Sequence, residues 1–132
     1  MSRFVVVIAL LAAGCTKADP AAPARGDKPA AAPVQATLGS DGVRHVSVEA
    51  DDKGYHPDRI AGKPGEKVVL DVTRTIAADC LSQIKTPEGK LVDVPQGKPT
   101  EVSMMIPKSG EATFTCGMGM FTGTLVADPT AN

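Results

Sequence analysis

The sequence is poor in aromatic residues, with no Trp, one Tyr and three Phe. That scarcity removes the stacking surfaces on which nucleobases and sugars are held. An excess of charge is lacking too: 14 basic residues stand against 15 acidic ones, so there is no electrostatic footprint for nucleic acid. A Ser-centred elbow, an HExxH pair and a convincing acid–base pair are all missing, which leaves a hydrolase without its parts. There is no C-x-x-C either, so a thiol oxidoreductase lacks its motif. These absences point to a binding protein and away from an enzyme.

Long apolar runs are confined to the N-terminus. Arg3 precedes "FVVVIALLAA", a run of about ten residues that is too short to span a bilayer and has the length of a signal-peptide core. It ends in "LAAGC", which resembles the lipobox of bacterial lipoproteins, with Ala12 at the position where Leu is usual. The resemblance implies a signal peptide over 1–14 and a diacylated Cys15 as the mature N-terminus. The protein is then exported and held on a bacterial membrane by lipid, facing the periplasm. From there to residue 42 the chain is rich in Ala, Pro, Gly and charge. It cannot bury enough surface to repay ordering, so 15–42 reads as a semi-extended, lipid-anchored tether. With Cys15 spent on lipid, three cysteines become two, Cys80 and Cys116, in a compartment that permits disulfides.

The pattern changes at Val43. "RHVSVEA" alternates through Val46, Val48 and Ala50, and "EKVVLDVTRT" through Val68, Leu70 and Val72. "KLVDV", "TEVSMMI", "EATFT" and "FTGTLVA" repeat the theme, separated by turn signals such as "DDKG", "GKPGE" and "PKSG". Such strands, without helical periodicity or an internal repeat, predict an all-β antiparallel sandwich or small barrel of about seven strands over 43–128, followed by a short tail at 129–132. Alternation sends Met104 and Met105 to opposite faces, one of them into the core.

Sulfur is concentrated near the end, in "TFTCGMGMFTGTLV" from Thr113 to Val126. If the segment stays extended, Cys116, Met118 and Met120 face one side, and Gly117 and Gly119 leave the other side bare. "GYHPDRIAGKPGEKVVLDVTRT", then Cys80, then "PQGKPTEVSMMIPKSGEATFTCGMGMFTGTLV" resembles the bacterial cupredoxin-like domains, some of which are attached to copper-transporting ATPases. The Cys80 plus "CGMGM" combination carries most of that resemblance. It implies a Greek-key β-sandwich whose copper ligands come from two loops at one end.

Carried onto this chain, the first of those loops holds Cys80, where blue-copper relatives have His. The second holds Cys116, Met118 and Met120 with no His among them, and neither His45 nor His56 lies in these loops. A thiolate pair with thioethers is soft and favours Cu(I), whereas a blue-copper centre needs imidazole nitrogens. The implied function is capture, buffering or transfer of Cu(I), with a copper-transporting ATPase or another copper-handling protein as partner. Two alternatives stay open: an electron-transfer cupredoxin, and a structural or interaction domain without metal. In the second, Cys80 and Cys116 form a disulfide when oxidised and the methionines fill a core gap.

Overall fold

The computed structural model describes residues 32–131; the expected signal peptide, Cys15 and the tether before residue 32 lie outside the described residues. Eleven strands form two sheets. One runs in the order β1 (Val34–Gln35), β5 (Arg59–Gly62), β11 (Thr122–Ala127), β10 (Glu111–Cys116), β7 (Gln83–Lys85) and β8 (Leu91–Asp93). The other runs β2 (Thr37–Leu38), β3 (Arg44–Asp51), β6 (Lys67–Arg74) and β9 (Thr100–Met105), with β4 (Gly54–His56) also paired to β3. The expected all-β sandwich is present. Its strand count exceeds seven because several strands hold only two or three residues, too few to show as alternation. Its pairing is mixed, since β1–β5, β5–β11 and β3–β6 are parallel.

The alternation read from the sequence sets the two faces. Val46, Val48 and Ala50 of β3 and Val68, Leu70 and Val72 of β6 are buried, as are Val102 and Met104 of β9, while Met105 is exposed. Opposite them stand Ile60, Ile84, Phe114 and Leu125 from the six-stranded sheet. Each such side chain contributes about 1.5–3 kcal/mol on burial, which is how about 100 residues with few aromatics sustain a core. Phe114 fills the space above Gly123: a Cβ there would lie 2.0 Å from its Cζ. Phe114 also meets the Tyr55 ring at 5.2 Å in a tilted arrangement.

The folded part begins earlier than Val43. The segment Val34–Leu38, expected to be tether, runs along β5 and then along β3, crossing from one sheet to the other at Ala36. Ala36 is buried, and its carbonyl accepts a hydrogen bond from Arg44 Nη1 at 3.0 Å. Arg44, itself buried, pairs through Nε with Glu66 at 3.0 Å. Backbone pairing and one buried guanidinium thus hold a segment whose two larger apolar residues, Val34 and Leu38, stay exposed. The tail also folds back: the Ala131 amide bonds the Asp128 carbonyl, and Ala131 is buried.

His45 stands between Asp41 of the β2–β3 turn, 3.1 Å away, and Asp71 of β6, 3.4 Å away. The hydrogen bond with Asp41, foremost, raises its pKa above the ordinary 6.5. A raised folded-state pKa gives stability that is complete below the ordinary value and is lost as pH rises through the folded value. Replacing His45 with Gln is therefore expected to lower the thermal midpoint at about pH 5.5 more than at about pH 9. Gly123→Ala is expected to cost about 1–3 kcal/mol or more by overpacking against Phe114, read from urea unfolding.

Candidate metal centre

Two loops at one end of the sandwich carry the sulfur. The first follows β6 and contains a 3₁₀ turn over Asp79–Leu81, with Cys80 at its middle. Leu81 is buried and anchors the turn to the core, and the Leu81 amide closes it on the Ala78 carbonyl at 3.0 Å. Cys80 is half-buried and packs against the same core cluster that contains Cys116. The second loop joins β10 to β11. Sheet pairing brings the loops together: Cys116 lies opposite Ile84 of β7, and the Gly117 amide donates to the Gln83 carbonyl at 2.8 Å. Gln83 is only three residues beyond Cys80, so the strand leaving the first loop is the one that supports the second.

The expected extended comb is not formed. β10 ends at Cys116, and a tight turn follows, closed by the Gly119 amide on the Cys116 carbonyl at 2.9 Å, with Gly119 at φ +73°. Gly119 lies in the left-handed region, which a residue with a Cβ adopts only at a cost. Glycine at this position serves the turn and not an empty sheet face. The returning chain is fixed by the Cys116 amide on the Phe121 carbonyl at 3.0 Å. Phe121 then packs over Gly54, where an added Cβ would come within 3.2 Å of its ring.

Within this turn the three sulfurs differ sharply. Cys116 is fully buried, and its Sγ accepts hydrogen bonds from the Met120 and Phe121 amides at 3.1 and 3.4 Å. Met118 and Met120 are 68% and 66% exposed, so they fill no core gap. Cys80 and Cys116 are free thiols. Among the described residues, no three His, Cys, Asp or Glu side chains gather where they could hold a metal. His45 and His56 are engaged with Asp41, Asp71 and Asp51. The donor set at this end is sulfur alone.

Some neighbours were not legible beforehand. Tyr55 is buried, and its phenol is driven upward in pKa by burial and then by the charges of Cys116 and Cys80. The ring is therefore a neutral wall within electrostatic reach of both thiols. Concave surfaces lie elsewhere: an open groove on the outer face of β3 and β6 is lined by Ser47, Glu49, His56, Asp71 and Thr73. Its walls carry no sulfur.

The described residues thus form a two-sheet β-sandwich with a cysteine on each of two adjoining end loops. The chain belongs to the cupredoxin-like domain family, whose sequence model matches residues 4–127. Curated protein sequences gave no match. Among solved structures, the chain is similar to the metal-binding domain of the Cu(I)-exporting P-type ATPase CopA from Streptococcus pneumoniae D39, determined with Cu(I). The identity is 25% and the TM-score 0.65, with 72% of this chain and 94% of that one covered. It is also similar to a copper-binding protein solved by NMR in its apo form, at 28% identity and TM-score 0.63, with 74% and 98% covered.

Because Met118 and Met120 are so exposed, replacing either with Ala is expected to change the stability of the metal-free protein by less than about 0.5 kcal/mol. Chemical denaturation checks this, and a larger loss would return the pair to a packing role.

Proposed function

We propose that this protein captures, buffers or transfers Cu(I), holding it between the Cys80 and Cys116 thiolates with thioether contacts from Met118 and Met120. One observation carries the reading: sheet pairing brings two free thiols to adjoining loops beside two exposed thioethers, with no imidazole in the set. Soft sulfur donors in low coordination suit Cu(I), while Cu(II) wants nitrogen and a tetragonal field. The Cu(I)-bearing ATPase domain among the structural relatives supports the same metal for this chain.

Binding converts two thiols to thiolates and releases two protons, so affinity rises with pH. The two amides on Cys116 Sγ fix the sulfur's place at the end of β10. The Tyr55 and Phe114 rings share the buried core cluster with Cys116, while the methionine side is open to solvent. A site that disfavours Cu(II) exchanges electrons poorly, which weighs against the electron-transfer alternative. The exposed methionines weigh against a purely structural domain. The protein is a binder in this reading and catalyses no reaction.

We further propose export, with Cys15 lipidated and the domain carried on a bacterial membrane facing the periplasm. A copper-transporting ATPase or another copper-handling protein would then be the exchange partner. Among the comparisons, the ATPase origin of one structural relative supports that class of partner.

The test is an anaerobic Cu(I) titration of the reduced full chain against a chromophoric chelator. Tight binding is expected, lost in Cys80→Ser and in Cys116→Ser and unchanged in Met104→Leu, whose side chain is buried in β9. Failure to compete with the chelator, or binding unaffected by both serine substitutions, would overturn the reading.

A further inference from the structure

The Cys80 loop is shaped by a residue outside the ligand set. Arg74 ends β6, and its Nη1 donates to the Ala78 carbonyl at 3.0 Å. That carbonyl also accepts the Leu81 amide that closes the turn carrying Cys80. Ala78 is the capping residue of this turn, and no side chain caps it. The guanidinium is thus the one side-chain group that reaches the capping carbonyl of the turn among the described residues. Arg74 is itself held firmly: its carbonyl accepts the Gly97 amide at 2.8 Å, and it bridges to Gln96 in parallel fashion. From this fixed base, the side chain reaches the Ala78 carbonyl.

Two features exceed what loop-shaping needs. First, Arg74 Nε is buried and has no hydrogen-bond partner among the described residues. A buried, unsatisfied donor on a charged group is costly, and such groups in native structures call for a reason. Second, the proposed site has a charge problem. Cu(I) with two thiolates carries a net charge of −1, because thioethers are neutral. The acidic side chain next to Cys80, Asp79, adds to that charge and does not relieve it. The only cation within the span from the end of β6 to the start of β7 is Arg74. An always-charged guanidinium is suited to offset an anionic centre in a partly desolvated site.

We propose that Arg74 is a positioning residue for Cys80 and also the counter-cation of the loaded, anionic Cu(I) site. The inference rests on the Cu(I) reading above. Nη1 holds the turn in both the free and the loaded state. The positive charge matters once Cu(I) has replaced the thiol protons and left the centre at −1. Arg74 touches no metal, and its action runs through the loop and the local field.

Charge separates this role from a purely structural one. A divalent soft ion such as Cd(II) on the same two thiolates gives a neutral complex, whereas Cu(I) gives an anionic one. In the full chain, Arg74→Gln is expected to weaken Cu(I) binding about tenfold or more, the usual scale for a group that supports metal ligands. Cd(II) binding, followed by its thiolate charge-transfer absorption, should fall much less. Arg74→Lys restores charge without the planar fork and should recover most of the Cu(I) affinity. Thermal unfolding of each metal-free variant gives the structural contribution separately. Equal losses for Cu(I) and Cd(II), or no recovery in Arg74→Lys, would leave a structural loop residue and overturn the counter-cation role. Unchanged Cu(I) affinity in Arg74→Gln would overturn both roles. Cys80→Ser, run alongside, separates this failure from that of the Cu(I) reading itself: if it also binds Cu(I) as the natural chain does, the site lies elsewhere.

Discussion

The hydrogen bond from the Gly117 amide to the Gln83 carbonyl, with the Cys116–Ile84 pairing beside it, is the constraint on which the functional end depends. Cys80 and Cys116 are distant in sequence, and bringing them together as free chain ends would cost loop-closure entropy. Here that cost is met by β7 lying against β10 within a sheet that is buried on its inner face. The two loops are neighbours before any ligand arrives. Preorganisation of this kind raises affinity by removing the ordering cost from the binding step. The same pairing explains why each loop is short and anchored. Leu81 plugs the core just after Cys80, and Phe121 lies over Gly54 just after Met120.

Much of this was legible in the residues. The alternation in β3, β6 and β9 named the buried faces correctly because side-chain direction in a strand has a period of two, whatever the partner strands. The separation of buried Met104 from exposed Met105 followed from the same rule. Parallel pairing of β3 with β6 was not legible, since pairing direction is a property of topology and leaves no mark on alternation. The strands Val34–Gln35 and Thr37–Leu38 were hidden for another reason. They are held by backbone bonds and by Arg44 reaching Ala36, and a five-residue stretch behind an Ala- and Pro-rich segment shows neither.

At the sulfur end, composition named the elements and missed the backbone. "CGMGM" alternates on paper, yet alternation turns side chains to one face only while φ and ψ stay extended. Gly119 at φ +73° bends the chain at once after Cys116. The turn replaces a flat row of three sulfurs with one buried acceptor and two exposed thioethers. Tyr55 shows the converse case. A lone Tyr between Gly54 and His56 says little by itself, and its place beside the thiols emerges only when β4 pairs with β3 and Phe114 rises to meet the ring.

That gradient of exposure has a consequence for exchange. Cys116 is sealed on the protein side and receives two amides. Met118 and Met120 stand in solvent on flexible, uncharged side chains. For a Cu(I) ion bound as proposed, Met118 and Met120 would be the most exposed ligands, with Cys80 half-buried and Cys116 sealed. An incoming partner thiolate would displace a methionine first, at little energetic cost, before competing for the anchored cysteine. Under that proposal, a buried Cys116 stands behind two exposed thioethers, so holding and handing over the ion would draw on different ligands. The fold needs only a glycine turn at the end of β10 to arrange this.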